Sequence, residues 1–331
     1  MRLDIRYRSV FAYTEDVSES HNELRACPLT DEYQRLLEYR VTIDPSARVY
    51  SYVDSWGTRV DTFGVRADHS TMVVTAEAAV ETSLRPLPIA STTMADLSGP
   101  SFIDAHIEYL ERDRHTDGSA EVSELALRQA KLGGPDVVGA ALAIHRFVGS
   151  HLRYAAGSTS VGIEVNDVLK GGVGVCQDFA HLTVTMCRAV GIPARYVSGY
   201  LFTTSDAEGI DTSEDMVLVE THAWVEVAVP GWGWLALDPT NGQSVGERHV
   251  KIGHGRSYDD VQPLRGVFLG PAQSTVVPQV EIRRLSAGSS RLLGSAAEPG
   301  LVPVDLVTIA RKSQPQGIST IQQQQQQQQQ Q

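Results

Sequence analysis

The stretch Gly171-Gly172-Val173-Gly174-Val175-Cys176-Gln177-Asp178-Phe179-Ala180-His181-Leu182 joins a glycine loop to the start of a helix. Three glycines in four positions let the backbone turn sharply and approach its neighbours closely. From Cys176 the spacing predicts a helix over 176–190, with Phe179, Ala180, Thr183, Cys187 and Val190 on one stripe. Gly191 and Pro193 supply the stop. Cys176 therefore opens the helix, where unpaired N–H groups and the macrodipole favour negative charge. Such a position favours a reactive thiolate. Taken alone, the same residue is equally a small buried cysteine at the head of a core helix.

Beyond Pro193 the period changes from helical to alternating. Residues 195–202 read as a strand, and 203–215 as a polar, acidic loop. Val217, Val219, Thr221, Ala223, Val225, Val227 and Val229 then fill every odd position, while Glu220, His222, Trp224 and Glu226 fill the even ones. This is a strand with a core-facing valine side and a chemically equipped opposite side. Residues 230–233 form a turn, and Leu235 and Leu237 set the parity of the next strand. If the two apolar faces coincide, His222 and Asp238 share the face that carries Trp224 and Trp234.

A thiol nucleophile needs a base, and that base needs a third group to fix its tautomer and orientation. The order Cys176, His222, Asp238 supplies all three. Cys176 is the candidate nucleophile, with its backbone N–H as one oxyanion donor; His222 is the candidate acid–base, and Asp238 the group that orients it. The second oxyanion donor stays open. Each residue also has an ordinary reading: a half-buried strand histidine, or an aspartate before a proline that starts a turn. His181, about 140° around the helix from Cys176, points away from it. No metal or cofactor is expected, since Cys-x-x-Cys, His-x-x-x-His, EF-hand and Walker patterns are all missing.

Upstream, residues 1–85 read as an antiparallel β-sandwich. Leu3, Ile5 and Tyr7 alternate with charges, as do Leu37, Tyr39, Val41 and Ile43, and Asp54-Ser55-Trp56-Gly57 is a hairpin turn. Residues 86–100 read as a linker and 101–285 as the catalytic unit, with helices expected over 101–115 and from Pro135, and irregular chain over 154–168. A last strand is expected over 279–285. Residues 286–331 end in ten glutamines and read as a disordered low-complexity tail.

Of 331 residues, 42% are hydrophobic and 21% charged, which suits a globular protein of about two domains. The net charge of -12 argues against nucleic acid or an anionic membrane as partner. The three cysteines are odd in number, and Cys176 and Cys187 lie about 16 Å apart along one helix, too far to bridge. A reduced, cytoplasmic protein is the expectation.

Four segments together closely resemble the transglutaminase-like superfamily: Gly174-Val175-Cys176-Gln177-Asp178-Phe179-Ala180-His181-Leu182, Gly191-Ile192-Pro193-Ala194-Arg195-Tyr196-Val197-Ser198-Gly199-Tyr200, Thr221-His222-Ala223-Trp224-Val225-Glu226 and Gly233-Trp234-Leu235-Ala236-Leu237-Asp238-Pro239-Thr240. Tyr258-Asp259-Asp260-Val261-Gln262-Pro263-Leu264-Arg265-Gly266-Val267 and the N-terminal strands extend the likeness to its bacterial and archaeal branch, over about residues 1–285. The resemblance implies an α+β, papain-like core in which a cysteine helix packs on an antiparallel sheet, with Cys176, His222 and Asp238 as triad. Ser257 departs from the branch, where an aspartate is usual. The implied activity is amide chemistry through a thioester on a peptide or protein substrate, foremost hydrolysis. Transfer to an amine, as in protein-glutamine transamidation, and an inactive peptide-binding scaffold are the alternatives.

Overall fold

Alternation of buried and exposed side chains runs on well past Tyr7, and a computed structural model shows the consequence: β1 (Arg2–Leu24) is a strand of 23 residues. The structure describes residues 1–88, 92–159, 162–203, 216–285 and 318–320. Strands β2 (Gln34–Asp44), β3 (Val49–Val53), β4 (Arg59–Val65) and β5 (His69–Thr82) follow. The first half of β1 pairs with β5 and its second half with β4, through an irregularity after Ala12. One strand thus serves two layers, and Leu3, Ile5, Tyr7, Phe11, Phe63, Met72 and Val74 close the core between them.

The segment 86–100, expected as a linker, holds a short 3-10 turn at Met94–Ser98 and a bridge between Thr93 and Asp136; residues 89–91 lie outside the description. Then come α1 (Pro100–His106), α2 (Ala120–Leu132), α3 (Val137–His151), β6 (Arg153–Tyr154), α4 (Val165–Gly171), β7 (Val173–Gly174) and α5 (Cys176–Ala189). The helix expected over 101–115 is only α1 and a 3-10 turn, and α4 begins inside the stretch expected to be irregular. The core sheet consists of β8 (Ala194–Leu201), β10 (His222–Val229), β11 (Gly233–Asp238), β12 (Gln243–Ser244) and β13 (His249–Gly255), in the order β12-β11-β10-β8-β13. β9 (Met216–Val219) precedes β10, and β14 (Leu264–Leu269), β15 (Ser274–Arg284) and β16 (Ile318–Thr320) complete the described chain.

One expectation is corrected here. Residues 264–284, assigned with the catalytic unit 101–285, build the N-terminal sheets instead: β15 pairs with β1 from Leu3 to Tyr13, and β14 pairs with its second half. The edges of β1 need partners on both sides, and β15 fills one along eleven residues. The loop expected at 203–215 and the tail at 286–331 fall outside the described residues, apart from 203 and 318–320.

The stripe expected on α5 is wider than spacing suggests: every residue from Gln177 to Arg188 is buried. α5 is enclosed by α2, α3 and α4 on one side and by the odd-numbered side chains of β10 and β11 on the other, including Val225, Val227, Leu235 and Leu237. Three of its polar side chains find partners inside. Thr183 and Thr185 hydroxyls donate to carbonyls one turn back, and the Arg188 guanidinium donates to the carbonyls of Glu111, Ala194 and Arg256. A helix so confined fixes where its first residue stands.

Candidate active site

That first residue is Cys176. Gly172 ends α4 in the left-handed conformation, at φ 64°, which only glycine adopts cheaply. Gly174 lies so near Asp178 that a Cβ there would sit 2.8 Å from the Asp178 Cβ. The room allows the Asp178 carboxylate to accept the Val175 N–H at 2.8 Å, capping the helix. By helix geometry the Cys176 N–H has no intrahelical acceptor. The thiol is partly exposed and lies 3.9 Å from the Thr221 carbonyl oxygen. Cys27 and Cys187 are buried, and burial pushes both thiols up to about 12.

β10 and β11 pair with Val225 opposite Leu237 and Glu226 opposite Ala236. This register puts the even-numbered residues of both strands on one face, away from α5. His222 Nε2 meets Asp238 Oδ2 at 2.9 Å, and Cys176, whose sulfur lies against the carbonyl of the residue before His222, is close enough to favour charge on the imidazole. With Nε2 engaged by Asp238, Nδ1 is the ring nitrogen left for sulfur. The structure thus gathers Cys176, His222 and Asp238 into one neighbourhood. Burial opposes charge on His222, but its bond to Asp238 and the nearness of Cys176 outweigh this and raise the imidazole from 6.5 to about 10.

Asp238 is wholly buried and has further partners that a sequence reading does not show. Asn241 donates its side-chain amide to Oδ2 at 2.7 Å, and His249 Nε2 meets the same oxygen at 3.1 Å. The backbone N–H groups of Thr240 and Asn241 donate to Oδ1. His145 on α3 donates Nε2–H to the Asp238 carbonyl at 3.0 Å. Burial works against this carboxylate, yet His222, His249 and Asn241 hold it far below the usual carboxylate range. Asn241 has a local signal, three residues after an Asp-Pro turn. His249 and His145 come from distant elements and have none.

Tyr154 belongs to the same neighbourhood. β6 pairs with β7, setting Tyr154 opposite Gly174, two residues before the cysteine. Burial raises its phenol, and the charges of Cys176 and Glu220 add to the rise. His181, by contrast, is stacked on His115, accepts the Tyr258 N–H, and is pushed by burial down to about 3. It is a neutral core histidine.

His222, Asp238 and His249 offer three ligand-type atoms within 4.8 Å of one another. A transition metal could span that distance only by displacing the N–H protons that now fill Asp238 Oδ2. Among the described residues no helix is long and apolar enough to cross a membrane.

Comparison with known proteins agrees with this architecture. Residues 3–81 match the bacterial transglutaminase-like N-terminal region and residues 124–239 the transglutaminase-like superfamily core. An uncharacterized protein of Mycobacterium leprae is 36% identical over 86% of this chain and 99% of its own, and one of Mycobacterium tuberculosis is 32% identical over 83% and 90%. A protein-glutamine gamma-glutamyltransferase of Pseudomonas aeruginosa is 33% identical over 40% of this chain and 19% of its own. The solved structure of a candidate cysteine protease from Cytophaga hutchinsonii superimposes with a TM-score of 0.63 at 25% identity, covering 88% of this chain and 93% of that one. The chain belongs to the transglutaminase-like superfamily and carries that superfamily's bacterial N-terminal region.

Proposed function

We propose that the protein is a cysteine enzyme that cleaves amide bonds of a peptide or protein substrate through a thioester. The observation that carries this reading is the gathering of a partly exposed Cys176, His222 and a buried Asp238, with the imidazole bonded to the carboxylate and the sulfur beside the carbonyl of Thr221. Cys176 attacks the carbonyl carbon as a thiolate. The carbonyl π electrons move to oxygen, which the Cys176 N–H and the Tyr154 hydroxyl stabilise. Imidazolium at His222 gives its proton to the leaving nitrogen as the C–N bond breaks, and the amine departs. His222 then takes a proton from water, whose oxygen attacks the thioester. Collapse breaks the C–S bond, releases the acid and returns the thiolate–imidazolium pair.

Transamidation is the second reading, and two features favour it. The exposed Glu220 carboxylate lies close enough to bear on Tyr154 and can attract a cationic amine. The Pseudomonas aeruginosa relative is described by that activity. The two routes differ only in whether water or an amine opens the thioester.

The test is iodoacetamide alkylation of Cys176 against pH, followed by amide assays. Labelling that is fast below pH 7 and collapses in His222→Ala supports the thiolate–imidazolium pair. Labelling that rises only near the ordinary thiol range, about 8.5, and ignores His222 overturns it. Ammonia or peptide release without added amine then identifies hydrolysis, and amine incorporation identifies transfer. Tyr154→Phe is expected to lower kcat about 10²-fold with KM little changed.

A further inference from the structure

The carboxylate at Asp238 accepts two imidazoles on one oxygen, and only His222 lies toward sulfur. We propose that His249 is a positioning residue, a neutral ring whose Nε2–H holds Asp238 aimed at His222, and that the N-terminal β region acts on the site through the strand that carries it. The proposal rests on the triad reading above and adds a use for the N-terminal region.

Three observations carry it. The first is the tautomer. Gly246 donates its N–H to His249 Nδ1 at 3.2 Å, so Nδ1 is an acceptor and the ring proton belongs on Nε2, 3.1 Å from Asp238 Oδ2. Burial further disfavours a charge on this ring. The second is confinement. His249 is nearly inaccessible and packs edge-on against Trp224, with centroids 5.4 Å apart. Trp224 in turn lies over Gly199, where an added Cβ would come within 2.5 Å of the indole. His249 therefore has a fixed orientation.

The third is how the segment is held. Residues 245–248 carry the chain from β12 at one edge of the core sheet to β13 at the other. The N-terminal region grips this crossover on both sides of His249. On one side Thr82 donates its hydroxyl to the Glu247 carbonyl, and the Met1 amino group meets the Glu247 carboxylate. On the other side the Gln34 amide bonds both to the N–H and to the carbonyl of Lys251. Val250 and Ile252 then bury in the core of the N-terminal region.

The alternative role is a satisfied space-filling histidine, and two measurements separate them. In the wild-type full chain, long-range proton–nitrogen NMR at pH 7 is expected to show His249 protonated at Nε2 only. An Nδ1–H tautomer or a charged ring overturns the proposal without any mutation. Next, iodoacetamide labelling of Cys176 is followed against pH. His249→Leu is expected to slow labelling at pH 6.5 by about tenfold or more, and to move the profile toward the ordinary thiol range. His249→Gln, which keeps a neutral N–H donor, is expected to stay within about threefold of wild type. Gln34→Ala is expected to slow labelling in the same direction by a smaller factor, and a wild-type rate overturns the N-terminal part. Wild-type labelling in a folded His249→Leu, while His222→Ala collapses, defeats the role of His249 alone. If His222→Ala is also without effect, the triad reading is what fails.

Discussion

Two buried carboxylates lie along one face of the core sheet and are treated in opposite ways. Asp238 is surrounded by neutral donors and one imidazole that leads outward to a partly exposed thiol. Glu226, on β10 four residues after His222, is closed off by the side chains of Arg195 and Lys251. Its Oε2 lies 2.6 Å from Arg195 and 2.7 Å from Lys251, and Arg195 is stacked 3.8 Å over the Trp234 ring. Burial opposes the charge on Glu226, yet Arg195 and Lys251 hold it far below the carboxylate range. The lesson is that a buried acid alone does not make a site. What distinguishes Asp238 is a partner that can take and give a proton within reach of a nucleophile.

The largest expected effect comes from Asp238→Asn. The replacement keeps the shape but loses the ion that orients and stabilises imidazolium, so turnover of a responsive amide substrate is expected to fall by roughly 10⁴-fold. Steady-state kinetics check this, and a fall below tenfold would break the distinction between the two carboxylates. Glu226→Gln is expected to do the reverse. It leaves Arg195 and Lys251 buried side by side, and should cost about 3–5 kcal/mol of stability in urea unfolding, with Cys176 labelling unchanged. Altered labelling in that variant would join the two networks into one.

The smallest effect lies in how stability varies with pH. His222 is raised from 6.5 to about 10, so its contribution is complete below about 6.5 and is lost as pH climbs through 10. Asp238 is depressed, so its contribution is present above the ordinary carboxylate range and is lost in acid. Urea midpoints measured from pH 7 to 10.5 should therefore fall in wild type, and fall less in His222→Gln. Equal slopes would remove His222 from the stabilising pair.

Much of this organisation is legible in order along the chain, because local rules govern it. The Gly172 turn, the start of α5 at Cys176 and the parity of His222 with Asp238 all follow from short-range periodicity. The elements that escape such reading depend on partners far away. β14 and β15 look like further core strands until β1 claims them. α5 shows a stripe because Thr185 and Arg188, which lie off it, are polar, although Thr185 donates to a carbonyl one turn back and Arg188 to carbonyls of other elements, so both are buried. His249 and His145 reach Asp238 from separate elements, and nothing within a few residues of either announces the contact.

The pairing of β1 also has a consequence for how the chain is made. Leu3 meets Arg284, so the first strand synthesised waits for one of the last. At about 5–20 residues per second on the ribosome, that separation corresponds to roughly ten seconds to a minute. Throughout that interval the nascent chain carries an unfilled strand edge running from Leu3 to Tyr13. Contacts this distant in sequence form slowly, and a chain released before β15 emerges exposes an adhesive surface to its neighbours.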